Sequence, residues 1–555
     1  MPATQDARSL PIIYLRGFTF GQGGTETTVD DPFYGFNSGS THVRQDETGQ
    51  PTFYVFESPV LRLLSDHGYR DSYVAGVQAG LDPKGQAALR KEQDRLDAGR
   101  FRPAVRPGPE DDATRREVAV PVQRLFTAEP ENGVGRRSLW IYRYYDQASR
   151  TYPDTPGRRQ EIEESALGLS DLTAHVKKVT GAPRVNLVAH STGGLIARCL
   201  IQRTYPNLGE RAVDHVDKLF TYATPHGGIH FAVPGGGIFE RLRDFAGRLF
   251  EQTNIDDFGR QRIWEYTHDR ATLKRQPEPP RDWDPREIPN FPLERVFCMV
   301  GTNPGDYDNR ASANAVGAHS DGLVQIEHAY VRGAPRAYAH RSHSGRYGIV
   351  NSEEGYQNLE RFFFGDLRVH LELDRLDAIR EGLAARAKRG QADGVFHHLD
   401  ATVAVRGLPA LMHNQQIQHN SAIPIEYRKL VDGEPIPLFT VFLMSGNRPD
   451  GEELCRYALR LRVQPVELRD GVQQFEHHVE QAGSWEGVLD VETIKVGKTW
   501  TIRSRWRYQS TDDWRTDQPK GGDARIEIPF PASAAEELGP KAVLRLTAGP
   551  WNDWA

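Results

Sequence analysis

Cysteine is nearly absent: Cys199, Cys298 and Cys455 are the only three in 555 residues, far apart and without a C-x-x-C pair. That excludes a disulfide framework and a thiolate zinc site, and it fits a chain built for a reducing compartment. Long apolar runs are also missing; no window approaches the roughly 18 residues that mark a membrane span. Charge of one sign is not in excess, since 69 Lys and Arg against 75 Asp and Glu leave a net −6. Such a chain has no global attraction to nucleic acid or to an anionic bilayer, so binding to either would need a local patch. No internal repeat or low-complexity tract is present, which excludes solenoid architectures. Residues 1–10 lack a basic start, an apolar centre and a small-residue cleavage site, so the expected location is cytoplasmic, with signal-independent export left open.

The length exceeds the roughly 250–300 residues at which single cores stop growing, so two domains are expected. Short apolar runs bounded by turn residues occur at 11–18, 139–145, 185–189, 218–223 and 295–300, the pattern of buried strands. Between the second and third, Ile162, Ala166, Leu169, Leu172, Val176 and Val179 recur at steps of three and four, one face of an amphipathic helix. Strand, helix and strand in this order predict an α/β unit with a parallel sheet over residues 1–366. Two stretches exceed minimal crossovers, at about 21–137, with a β-ribbon expected around Tyr54 to Phe56, and at 229–290. From 367 to 555 the pattern changes. A helical piece is expected near 371–387, followed by strands of period two. Cys455, Tyr457, Leu459, Leu461 and Val463 share one face against Arg456, Arg460 and Arg462, and Trp500, Ile502, Trp506 and Tyr508 face away from Arg503, Arg505 and Arg507. Alternation with turns between predicts an antiparallel β-sandwich-like domain.

Chemistry concentrates at 185–195, V-N-L-V-A-H-S-T-G-G-L. A strand leads into A-x-S-x-G and a helix follows. Ala189 and Gly193, two before and two after Ser191, leave room for a turn so sharp that larger side chains would collide with backbone. Here the chain resembles the α/β-hydrolase superfamily, and within it the lipases and esterases whose nucleophile elbow begins with Ala. A second similar segment is T-Y-A-T-P-H-G-G at 221–228, like the T-P-H-x-G of lipases. The likeness covers about 10–366.

The resemblance implies a triad in the order serine, acid, histidine. Ser320-Asp321-Gly322-Leu323-Val324 is similar to the segment that carries the acid, and Ser342-His343-Ser344-Gly345 stands where the base belongs. Ser191, Asp321 and His343 are therefore the expected catalytic residues. Asp306 competes for the acid and His340 for the base, while His190 is read as an elbow residue rather than a second base. The oxyanion hole would use the N–H groups of Thr192 and of Phe18, which lies in Arg16-Gly17-Phe18 where similar lipases have H-G-x; the role of Arg16 stays open. His226 and His230 have metal-ligand spacing, but Gly227-Gly228 between them argues against a helix, which favours packing or substrate-loop histidines over metal ligands.

Phe33, Tyr34, Phe36, Phe239, Leu242 and Phe245 are expected to line an acyl pocket. Helix 238–250 is read as a lid or pocket wall, hinged on three glycines, against the alternative of a core helix. The arginine stripes of the second domain are either a docking face for acidic lipid, glycan or protein, or an ordinary solvated face. The expected activity is hydrolysis of carboxylic esters, as an esterase or triacylglycerol lipase of lipid metabolism, with no cofactor and no nucleic-acid partner. A phospholipase or acyltransferase would use the same residues. A lipid- or partner-binding module with a vestigial site is the alternative outside catalysis, and peripheral lipid contact stays open.

Overall fold

The computed structural model describes residues 9–17, 44–45, 51–52, 57–72, 134–145, 161–229, 258–307, 310–345, 347–387, 395–426, 433–444, 454–465, 468–469, 472–473, 485–496, 499–507, 514–518 and 524–552. Seven of its strands form one sheet: β1 (Ile12–Leu15), β2 (Arg70–Asp71), β3 (Ser138–Ile141), β4 (Val185–His190), β5 (Val216–Tyr222), β6 (Val296–Gly301) and β7 (Arg336–Ala339). Their order is β2-β3-β1-β4-β5-β6-β7 and every neighbouring pair is parallel. All residues of β4, β5 and β6 are buried, as expected where both faces of a parallel sheet are covered.

Strand alternation decides which helix covers which face. Ile13, Leu15, Leu187, Ala189 and Leu219 point to a core with Ala166, Leu169, Leu172 and Val176 of α2 (Ile162–Thr180). The same core takes in Leu195 and Ile196 of α3 (Thr192–Cys199). Their neighbours Ile12, Tyr14, Val188, Phe220 and Tyr222 point to the opposite face. There they meet Val60 and Leu63 of α1 (Glu57–His67) and Tyr356, Leu359 and Phe362 of α4 (Glu353–Phe364). The chain thus folds as helix, sheet and helix layers. A capping box between Glu161 and Glu164 starts α2, and Gly181, at φ 63°, ends it in the left-handed conformation that glycine tolerates.

The stretch expected to be a long insertion contributes to this frame: α1 covers the sheet and β2 extends its edge. The short ladder within it pairs Arg44–Gln45 with Pro51–Thr52, while Tyr54 and Phe56 lie outside the described residues. Helix 238–250 also lies outside them.

After α4 the chain enters two antiparallel sheets. The first joins β8 (Leu367–Asp374), β12 (Ile436–Leu443), β17 (Ala524–Pro529) and β18 (Val543–Pro550) in the order β12-β8-β18-β17. The second runs β10-β9-β13-β14-β15-β16, with β11 also on β9. Its members are β9 (Val395–Val405), β10 (Leu411–Gln415), β11 (Ile423–Glu426), β13 (Leu454–Pro465), β14 (Trp485–Val496), β15 (Thr499–Trp506) and β16 (Arg515–Asp517). One continuous core draws Val369, Leu371 and Leu546 from the first sheet and Leu399, Leu459 and Val491 from the second, the construction of a sandwich.

The helix expected near 371–387 is corrected. Residues 367–374, L-R-V-H-L-E-L-D, alternate between buried and half-buried and form β8 between two partners; helix α5 covers only Asp377–Ala387. Period-two burial outweighs the helix-forming character of Leu and Glu. In β13 the five residues expected on one face are all buried. In β15, Trp500 and Ile502 are buried together with Ser504, and Tyr508 lies outside the described residues.

The sandwich and the parallel-sheet unit share core. Phe442 of β12 and Trp551 join Phe297, Phe362 and Phe363, and the Trp551 indole N–H donates to the Phe362 carbonyl at 2.7 Å. No helix among the described residues is long and apolar enough to cross a membrane.

Candidate active site

The parallel sheet reverses its winding direction beside β1. Strands β2 and β3 lie on one side of it and β4 to β7 on the other. In open α/β sheets a crevice opens at the carboxyl ends of the strands where order reverses. The loop after β1 and the turn after β4 both lead from this point.

Between β4 and α3 only Ser191 makes the turn, with φ 51° and ψ −125°. A β-carbon makes that conformation costly, by about 1–3 kcal/mol, and it persists only where the surroundings enforce it. Here the Ser191 N–H donates to the Tyr222 carbonyl at 2.9 Å. Its own carbonyl accepts from the Gly194 N–H and from Thr224 Oγ1, both at 3.0 Å. A Cβ on Gly193 would sit 2.7 Å from the Arg16 carbonyl oxygen, and one on Gly194 would overlap the Thr224 side chain. On the other side, a Cβ on Gly17 would stand 2.7 Å from Ser191 Cβ. Glycine at 17 and 193 lets the loop after β1 and the start of α3 close around the serine.

Ser191 Oγ lies 3.0 Å from His343 Nε2, and His343 Nδ1 lies 2.9 Å from Asp321 Oδ2. Asp321 is held in turn: its Oδ1 accepts from the N–H groups of Leu323 at 3.0 Å and Val324 at 2.8 Å. The His343 N–H donates to the Asp321 carbonyl at 2.9 Å, which ties the two loops together. All three residues are buried, with 4%, 3% and 0% exposure for Ser191, His343 and Asp321. With the Nδ1 proton directed at the carboxylate, Nε2 is left to accept the serine proton. The Tyr307 ring meets the His343 ring edge-on at 5.9 Å.

His190 stands beside this chain of groups, not in it. Its Nε2–H donates to the His343 backbone carbonyl at 2.9 Å. Burial first, then the neighbouring His343 and Arg16, hold its pKa well below the usual value, so the ring is neutral. Asp306 is exposed and accepts from Asn303 Nδ2 at 2.7 Å. His340 stacks on His419 at 3.8 Å. Neither is joined to the serine by a hydrogen bond as Asp321 and His343 are. The Thr192 N–H opens helix α3 directly after Ser191. Phe18, Phe33, Tyr34, Phe36, Phe239, Leu242, Phe245 and His230 lie outside the described residues.

His226 is fully buried, with Nε2 3.1 Å from Thr221 Oγ1 and 3.7 Å from Cys298 Sγ. Burial and then Arg198 push its pKa far down, as befits a packing residue. No group of three or more His, Cys, Asp and Glu able to hold a metal occurs among the described residues. Arg198 escaped the sequence reading. It is fully buried and donates to the carbonyls of His226 at 2.8 Å, Pro285 at 2.9 Å and Glu287 at 3.0 Å, tying α3 to the segment beyond it. The one signal was a cation inside the apolar run L-I-A-R-C-L-I.

Five arginines of the stripes meet carboxylates of the neighbouring strand β14. Arg456 and Arg503 close on Glu492, Arg505 and Arg507 on Asp490, and Arg460 on Glu486. In comparisons with known proteins, no family model matches the chain, and no curated protein matches it at a significant level.

Proposed function

We propose that the protein is a serine hydrolase of carboxylic esters built on an α/β-hydrolase fold, of esterase or lipase type. The observation that carries this reading is the hydrogen-bonded chain Ser191–His343–Asp321, at 3.0 and 2.9 Å, on a strained turn where strand order reverses. Ser191 Oγ attacks the acyl carbon while its proton passes to His343 Nε2. Asp321 keeps the imidazole in the required tautomer and stabilises the imidazolium. The Thr192 N–H, with that of Phe18, holds the oxyanion, each donor lowering the barrier by roughly 3–4 kcal/mol. His343 then returns the proton to the leaving alcohol. Water, deprotonated by His343, attacks the acyl-enzyme and frees the acid and the serine.

An alcohol in place of water would make the same residues an acyltransferase, and a phospholipid ester would make the protein a phospholipase. The test is labelling with a fluorophosphonate, together with hydrolysis of nitrophenyl esters from two to sixteen acyl carbons. Wild type should label and hydrolyse with a preferred chain length, and Ser191→Ala and His343→Ala should do neither. A folded wild type that neither labels nor hydrolyses, even with detergent or lipid present, would replace this reading with that of a binding protein carrying a vestigial site.

A further inference from the structure

The loops that carry the acid and the base are both touched by one loop of the sandwich. Between β10 and β11, residues 416–421 make a tight turn with Asn420 at φ 50°. The turn is internally bonded: the Asn420 N–H donates to the Ile417 carbonyl at 2.9 Å and the Ser421 N–H to the Gln416 carbonyl at 3.1 Å. It is also bonded to its own sheet, where Asp400 Oδ1 accepts from the Ile417 N–H at 2.8 Å and Gln415 Nε2 donates to the Ser421 carbonyl at 2.9 Å. A turn held this way presents fixed groups rather than adapting to what it meets.

Two groups of the turn reach the loops that carry Asp321 and His343. The Asn420 carbonyl accepts from His319 Nδ1 at 2.9 Å. His319 lies two residues before Asp321, and its own carbonyl accepts from the Ile326 N–H at 3.0 Å, closing the acid loop. The His419 ring stacks on His340 at 3.8 Å and 14°, and His340 lies three residues before His343. Burial, then His340, holds the His419 pKa down at about 4, and burial lowers that of His340. Both rings are therefore neutral at pH 7 and stack without repulsion. His340 directly follows β7, the edge strand of the parallel sheet, and Tyr338 of β7 meets His413 of β10 edge-on at 5.4 Å. The sandwich thereby covers a sheet edge that would otherwise be open.

We propose that the turn at 416–420 is a positioning element of the triad, gripping the acid loop through His319 and the base loop through His340, so that the sandwich forms part of the hydrolytic apparatus. This rests on the serine hydrolase reading. The grip sets the distance between the Asp321 and His343 loops and hence the aim of His343 Nε2 at the serine, and misplacement on the ångström scale costs about 100-fold in rate.

The test uses the full chain with the double variant His319→Ala/His419→Ala, and with His419→Phe, which keeps a ring to stack. Expected for the double variant is a fall in kcat of about tenfold or more with KM within about twofold of wild type. The far-downfield proton resonance of the His343–Asp321 hydrogen bond should broaden or shift, and His419→Phe should recover most of what His419→Ala loses. Should the double variant not fold, His319→Ala alone, which removes one exposed ring, carries the same expectation in smaller measure. A folded variant with wild-type kcat and an unmoved resonance overturns the proposal. If wild type neither labels nor hydrolyses, the hydrolase reading has failed on its own, and the proton resonance alone decides whether the turn positions the pair.

Discussion

Replacing Gly193 with alanine adds one methyl group at the point where the Ser191 turn and the end of β1 are closest. The backbone of Gly193 is helical and not in the left-handed region, so space alone demands glycine there. The added Cβ would lie 2.7 Å from the Arg16 carbonyl oxygen, 2.8 Å from that of Leu15 and 3.0 Å from Leu15 Cβ. These are roughly 0.5–1 Å shorter than an unstrained contact. Two of the three are backbone oxygens, one in the last residue of β1 and one directly after it, which cannot rotate aside as a side chain can, so α3 must move away from β1. Overpacking of this kind costs about 1–3 kcal/mol, less than the roughly 5–15 kcal/mol of a typical fold, and the variant should still fold. Ser191 Oγ and the Thr192 N–H ride on the displaced turn, while His343 is held from other loops. A shift of that size should lower kcat on a short nitrophenyl ester by about 10- to 100-fold. The control is Gly382→Ala, at an exposed position of helix α5 with nothing within 4 Å of the new Cβ. It should leave kcat unchanged and stabilise by about 0.5–1 kcal/mol. Paired ester kinetics and thermal melts decide the matter: a Gly193→Ala variant with wild-type kcat would refute the claim that this contact sets the serine.

In Asp321→Asn, the Leu323 and Val324 N–H groups that now bond Oδ1 should fix the amide oxygen toward themselves. The NH2 then faces His343 Nδ1 and forces the wrong tautomer, so kcat should fall on the order of 10³–10⁴-fold in a protein that melts near wild type; a loss below tenfold would speak against Asp321 as the acid. Lys218 is buried beneath the Trp551 ring, and burial pushes its pKa down to about 7. Between about pH 7 and 10.5 the folded chain therefore binds fewer protons than the unfolded chain. This contribution to stability is present in full above that window and lost as pH falls through it. Urea unfolding at pH 7, 8 and 9 should show stability rising, by at most about 1.4 kcal/mol per unit from this group, and Lys218→Met should flatten the rise; equal slopes in both would show that Lys218 is not the titrating group.

What could be read from the sequence was local. The strand, serine and helix at 185–195 are contiguous, and the small residues that the turn requires flank the serine itself. The apolar stripe of α2 needs only its own period. Asp321 and His343, the candidate acid and base, each sit in a short Ser- and Gly-containing loop that a resemblance to lipases can match. Where the reading failed, the deciding partner lay far along the chain. Nothing in L-R-V-H-L-E-L-D says that its Leu and Val face another sheet, and helix-forming residues misdirect until β12 and β18 are seen on either side. The arginine stripes left a docking face and a solvated face both open because cross-strand register cannot be read from one strand, and it is register that sets Arg456 and Arg503 on either side of Glu492.

The same distance effect hides the part played by the sandwich. From the sequence alone it is a second, β-rich domain with no role assigned. Asn420 meets His319 from 101 residues away in sequence, and no periodicity marks either as a partner of the other. The contact exists because β10 docks on the edge strand β7, whose next turn delivers His340 and His343. That edge is where the parallel sheet ends, so whatever covers it also settles where the base loop can go. Phe442 and Trp551 complete the core around Phe362 from the same side. Removing the sandwich would therefore uncover apolar surface and release the base loop in one step. The two consequences separate only in single side chains where the turn meets the loops, at His419 and at His319 opposite it, which can be changed while the shared core stays intact.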